Sequence, residues 1–178
     1  MTIPLAAVVD VESTGLYPAL GHEPWEIALG LLLPDGTWLR ETFYPEPNLL
    51  EADSMALRMN RFYERLEAER REWQDPRFVA REVARRLAGR WIVGAVPSFD
   101  ANMLDPWLRR NGQAPAWHYR LGCVESFAAG KLGIEPPWET EDLYRGLELD
   151  PESFERHTAE GDRDLAIAVY EAVFRREP

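Results

Sequence analysis

The stretch that decides the fold is Leu5-Ala6-Ala7-Val8-Val9-Asp10-Val11-Glu12. It is short, valine-rich and almost wholly apolar until its acids, the pattern of a strand buried on both faces. Asp10 and Glu12 interrupt that pattern two residues apart. A period of two puts both carboxylates on one face, ~6–7 Å apart along the chain, with Val9 and Val11 on the other. Unpaired carboxylates at the end of a buried strand are unfavourable. Either a divalent cation compensates them through oxygen ligation, or the strand end is solvated.

Outward from this strand, residues 25–33 (WEIALGLLL) read as a second strand. Pro34-Asp35-Gly36 makes a turn, because Pro presets φ and Gly tolerates positive φ. Thr37 to Tyr44 returns as a third strand, completing an antiparallel meander. Residues 52–72 hold Met55, Leu57, Met59, Phe62 and Leu66 among arginines and acids, the content of one or two helices. Asp75-Pro76 opens the next helix, with Asp as cap and Pro in the first turn. Val79, Val83 and Leu87 line its inner face to about Gly89. A short strand is expected over Trp91–Val96, a helix over Asp100–Arg110, a strand within 117–124 and a helix over 124–132. The acidic, Pro-rich segment 134–156 reads as short helix and loop, and a last helix runs to about Arg176. A meander followed by alternating strands and helices predicts an α/β mixed sheet with helices packed on it.

Composition bounds the rest. The chain has 178 residues, 46% hydrophobic and 29% charged, which fits one globular domain over 1–178 with a real core. Disordered, collagen-like and disulfide-scaffold classes are excluded, Cys123 being the single cysteine. No charged-then-apolar leader and no span of ~20 apolar residues occurs, so the expected location is the cytoplasm, away from membranes. The net charge of −11 argues against broad, sequence-independent binding to nucleic acid polymers. The charge is uneven: residues 58–90 hold ten arginines against six acids, whereas 135–162 hold ten acids against Arg145 and Arg156. Arg58, Arg61 and Arg65 could flank a binding groove or form a solvated helix face.

Three further residues interrupt apolar patterns. Asp162 lies three before Leu165, on the inward stripe Leu165, Val169, Val173, where an apolar residue is expected; Asp164 points elsewhere. Asp100 precedes Leu104 and Trp107 and follows a strand, the place where sites form in parallel α/β sheets; N-capping is the simpler alternative. His157 lies five before Asp162, which places it in the loop ahead of the last helix. A histidine can accept a proton from water at neutral pH. Four acids and one histidine from three segments fit metal-assisted hydrolysis of a phosphodiester, with two metals ~3.5–4 Å apart clamping the attacking and leaving oxygens.

These residues resemble the motifs of the DEDDh family (DnaQ-like 3′→5′ exonucleases). Asp10-Val11-Glu12-Ser13-Thr14-Gly15 resembles its first motif, Phe99-Asp100 after Gly94 its second, and His157-Thr158-Ala159-Glu160-Gly161-Asp162 its third. The sequence is also similar, more loosely, to exonuclease-like proteins of actinobacterial phages. The resemblance implies a ribonuclease H-like fold with a five-stranded mixed sheet. It implies two divalent ions, Mg²⁺ or Mn²⁺, held by Asp10, Glu12, Asp100 and Asp162, with His157 as general base. It implies that Thr14, Gly15 and Leu16 meet the terminal nucleotide, with Phe99 lining the same pocket. The family often carries Asn four residues before the second-motif Asp; here Val96 stands there.

The activity so implied is exonucleolytic release of 5′-mononucleotides from single-stranded 3′ ends, DNA slightly favoured. Two other roles are compatible with the sequence. One is a proofreading or partner-binding module beside a polymerase or replication protein; no extra tail for such a partner is expected beyond the last helix. The other is a scavenger of short oligonucleotides, which the acidic charge favours.

Overall fold

The computed structural model describes residues 5–69 and 72–174. Arg70, Arg71, Arg175 and Arg176, part of the arginine run and of the expected last helix, lie outside the described residues.

Strands β1 (Ala6–Ser13), β2 (Pro24–Leu32) and β3 (Trp38–Phe43) form the expected antiparallel meander. The turn at Pro34–Gly36 closes as its residues dictate: the Gly36 N–H donates to Leu33 O, and Asp35 accepts the Thr37 N–H. Strand β4 (Trp91–Gly94) joins β1 in parallel, and β5 (Gly122–Cys123) joins β4 in parallel. The sheet order is β3-β2-β1-β4-β5, which puts β1 at the centre.

The period-two reading of β1 holds. Ala7, Val9 and Val11 pack into one core with Ile27, Leu29, α3 (Pro76–Leu87) and α4 (Pro97–Arg110). Ala6 and Val8 pack into the other with α5 (Val124–Leu132), α6 (Thr140–Gly146) and α7 (Ala159–Phe174). Asp10 and Glu12 continue this second face beyond its apolar end. Helix α7 crosses it closely: a Cβ on Gly30 of β2 would lie 2.6 Å from Ile167 Cδ1. A third, smaller core of Trp25, Leu57 and Phe62 seats α1 (Ser54–Met59) and α2 (Phe62–Glu69).

Some boundaries differ from the sequence reading. Strand β4 stops at Gly94 rather than Val96, because Pro97 takes the first helical position of α4. Val96 is therefore the N-cap, and Asp100 does not cap; it sits inside the first turn. Strand β5 is only two residues long, since Cys123 turns directly into the N-cap of α5 and its Sγ accepts the Ser126 N–H. The cap at Asp75 is as expected, accepting the Phe78 N–H at 2.8 Å. Among the described residues no helix is long and apolar enough to cross a membrane.

Candidate active site

The site lies where β1 runs out of apolar residues. Asp10 and Glu12 project from its C-terminal half on the α7 side, and Asp162 meets them from the first turn of α7. The three offer carboxylate oxygens that all lie within 4.8 Å of one another. Asp100 approaches from α4, 4% exposed, and accepts the backbone N–H of Val11 and its own. His157 lies in the loop before α7, with φ of 60°. All five line one open cleft of about 630 Å³.

The electrostatics follow from burial and like charge. Burial pushes Asp10 well above the carboxylate range, and Asp100, Asp162, Glu12 and Glu26 push it further. Glu12 is raised to about 7, first by burial, then by Glu26 and Asp162, against the opposing pull of Arg65 and a hydrogen bond from Asn60. Burial likewise raises Asp100, against its two backbone hydrogen bonds. Among the described residues no ion pair reaches Asp10 or Glu12. Crowded carboxylates, all oxygen donors, two of them without an ion pair among the described residues, fit Mg²⁺ or Mn²⁺. Asp10, Glu12 and Asp162 could hold one such ion; Asp100 stands beside that set rather than within it.

The loop ahead of α7 is built to face the cluster. A Cβ on Gly161 would sit 2.0 Å from Glu155 O, so only glycine lets the loop fold onto the first turn. The Thr158 hydroxyl donates to Glu155 O at 2.7 Å and accepts the Gly161 N–H at 3.0 Å. That closure aims two donors at Asp162: Arg156 Nε reaches Oδ1 at 2.8 Å, and the His157 backbone N–H reaches Oδ2 at 3.0 Å. Asp164 points away, as its position on α7 predicts, and pairs with Arg40 and Arg163.

The remaining sequence-derived site residues divide. Leu16 is 60% exposed and lines the cleft together with Phe99. Both also line an apolar side pocket of about 250 Å³ with Met55, Met59 and His157. Thr14 is fully buried; its Oγ1 accepts the Glu23 N–H, and its carbonyl accepts the Asp53 N–H. Gly15 lies over the His22 ring. Val96 is exposed on the cleft wall.

Four features escape the sequence reading. Arg65 neither flanks a groove nor lies on a solvated face: it is buried, 2.7 Å from Glu26, with its guanidinium over the Trp25 ring. Asn60, the C-cap of α1, donates from Nδ2 to Ser13 O at 2.9 Å and hydrogen-bonds Glu12. Trp138, in the acidic Pro-rich segment, forms cleft wall and directs Nε1 toward Glu125. Arg156 shares that wall with Tyr144 of α6. The hints were a buried-looking Glu26 in a strand, and polar residues at helix ends.

No family model matches the sequence, and no curated protein matches it. Solved structures do. E. coli exonuclease I in complex with a dT13 oligonucleotide superposes with a TM-score of 0.73 at 19% identity, over 98% of this chain and 42% of that one. The complex with dA16 gives 0.72 at 19%, over 98% and 41%. The zinc-bound form of the E. coli exonuclease I–ssDNA complex gives 0.73 at 18%, over 97% and 40%. The chain thus spans about two fifths of the length of the structures it matches. At this identity the likeness establishes the fold: with strand order β3-β2-β1-β4-β5 and β1, β4 and β5 parallel, the chain has the ribonuclease H-like architecture found in exonuclease I.

Proposed function

We propose that this chain is a metal-dependent 3′→5′ exonuclease of the DEDDh type, hydrolysing single-stranded nucleic acid from its 3′ end to 5′-mononucleotides. The observation that carries the reading is the meeting of Asp10, Glu12 and Asp162, with Asp100 and His157 on the same cleft. The motif order along the chain and the likeness to exonuclease I, solved with dT13 and dA16, support it and favour DNA. The free thiol of Cys123 is in keeping with a cytoplasmic location.

Two divalent ions at the carboxylates would supply Lewis acidity and neutralise charge at the scissile phosphate. The chain's own residues do the rest. Asp10, Glu12 and Asp162 fix the ligand set on two rigid elements, and Asp100 supports it from α4. His157, held over the first turn of α7 by the Thr158–Glu155–Gly161 closure, would accept the proton of the attacking water. Leu16, Phe99, Met55 and Met59 offer an apolar pocket for the terminal base.

A second reading concerns substrate length. Glu125, Glu139 and Glu141 line the cleft beside Trp138, and like charge there disfavours a long polyanion. This favours short oligonucleotides over genomic strands.

The test is degradation of matched 5′-labelled DNA and RNA single strands, and of dinucleotides, with Mg²⁺, Mn²⁺ or EDTA. A ladder shortening from the 3′ end is expected with metal and absent with EDTA. Asp10→Ala should abolish it, and His157→Ala should slow it by roughly 10²–10⁴-fold. Full activity in the Asp10→Ala protein would overturn the assignment.

A further inference from the structure

Arg156 is the one arginine or lysine lining the cleft among the described residues, and its Nε sits 2.8 Å from Asp162 Oδ1. Asp162 belongs to the set of carboxylates fit for a metal. A guanidinium and a divalent cation compete for the same oxygen, because each repels the other at that distance.

The backbone around Arg156 is tied down, while its side chain is partly exposed and held by Asp162. Glu155 O is held by the Thr158 hydroxyl and pressed against Gly161, and His157 carries a left-handed φ of 60°. The Arg156 side chain is 39% exposed, against 21% for Asp162. It lines the same cleft as Tyr144, whose hydroxyl feels its charge. A nucleic acid substrate brings one strong acceptor there, a phosphate, which the planar guanidinium fork suits.

We propose that Arg156 is a two-position residue: it holds Asp162 as a counter-ion in the metal-free protein, and moves to a substrate phosphate when the carboxylates take up metal. The first half rests on geometry alone; the second rests on the exonuclease reading above. The consequence is ordered loading. Arg156 weakens metal binding in the absence of substrate, and metal and phosphate together relieve the competition, so each favours the other's binding.

The experiment compares wild type, Arg156→Gln and Arg156→Lys, with circular dichroism melts to show that all three fold. Mn²⁺ affinity is measured by calorimetry without nucleic acid. Arg156→Gln should bind Mn²⁺ about tenfold more tightly, and Arg156→Lys, which keeps the charge, should stay near wild type. Next, fluorescence anisotropy at saturating Mn²⁺ follows a 5′-labelled single strand whose 3′-terminal linkage is a phosphorothioate, so that binding is read without turnover. Arg156→Gln should bind it about tenfold more weakly, the loss of one charge-assisted phosphate contact. Unchanged or weaker Mn²⁺ binding by Arg156→Gln overturns the counter-ion role, and unchanged strand affinity overturns the phosphate role. If Arg156→Gln shows both shifts yet the wild type hydrolyses no ordinary strand, the exonuclease reading fails and the Arg156 assignment stands.

Discussion

Glu12 and Glu26 face each other directly across β1 and β2, on the same side of the sheet, yet burial has opposite consequences for them. Glu26 is fully buried and its charge is matched from inside the protein. Arg65 lies 2.7 Å away, and the Ala159 N–H at the start of α7 reaches Oε2 at 3.3 Å. Glu12 accepts from Asn60, feels the charge of Arg65, and stands among Glu26 and Asp162, raised to about 7. The fold therefore supplies a cation to one glutamate of the pair and withholds it from the other. A buried acid with its own guanidinium is structural; a neighbouring acid without one would, under the proposed function, take its cation from solution. Glu26 also ties the two together, since its partners seat α2 and the N-terminus of α7, which carries Asp162.

The largest effect that would break this comparison comes from removing the internal cation. Arg65→Met leaves Glu26 buried without its guanidinium and should destabilise the protein by about 3–5 kcal/mol in urea unfolding. Adding Glu26→Gln to the same chain removes the carboxylate charge and should recover most of the loss. A single variant within ~1 kcal/mol of wild type would mean that Glu26 is not held by Arg65, and the two glutamates would not differ in kind.

Much of this was legible in sequence, and the limits have physical causes. The meander, the Asp75 cap and the inward acids of β1 and α7 follow from local periodicity and turn chemistry, which act over a few residues. The Arg65–Glu26 pair spans 39 positions, and nothing periodic links a helix arginine to a strand glutamate that far away. The arginine run hid it, because Arg58 and Arg61 in the same run are exposed or pair locally, as with Glu64. Asp100 taken alone read more simply as an N-cap, and only the start of α4 at Pro97 moved it into the first turn, where it is buried. Trp138 and Arg156 acquire meaning only when α6 and the loop before α7 close the same cleft.

The next prediction sharpens the comparison through pH. Glu12 has a raised pKa in the folded protein, so the folded state keeps the proton longer than the unfolded chain does. The stability tied to this proton is complete below the unfolded value near 4.5 and is lost as pH rises through about 7. In metal-free protein Glu12→Gln should therefore be more stable than wild type at pH 8, by on the order of 2–3 kcal/mol, and nearly equal to it at pH 4. Thermal melts in EDTA across that range check it. Mg²⁺ or Mn²⁺ should then raise the melting temperature of wild type at pH 8 more than that of Glu12→Gln, because only the ionised carboxylate gains a partner. The same experiment on Glu26→Gln should show no such gain at pH 8.

The smallest effect tests the hydrogen bond that Glu12 accepts from Asn60. Asn60 is buried, its Nδ2 bridges Ser13 O and Glu12, and its Oδ1 has no hydrogen-bond partner among the described residues. Asn60→Ala removes a donor that favours the ionised carboxylate and leaves the Ser13 carbonyl short of a partner. The cost should be about 1 kcal/mol in unfolding, at the low end for a buried hydrogen bond. Its more telling consequence is the direction of a titration: Glu12 loses an interaction that lowered its pKa, so half-maximal Mn²⁺ binding should move to higher pH, by less than about one unit. The Arg65→Met protein, compared at the same ionic strength, should move it the same way, because Arg65 also lowers Glu12. If Asn60→Ala lowers stability but leaves the pH midpoint of metal binding in place, Asn60 serves only the end of α1, and Glu12 depends on solution cations alone.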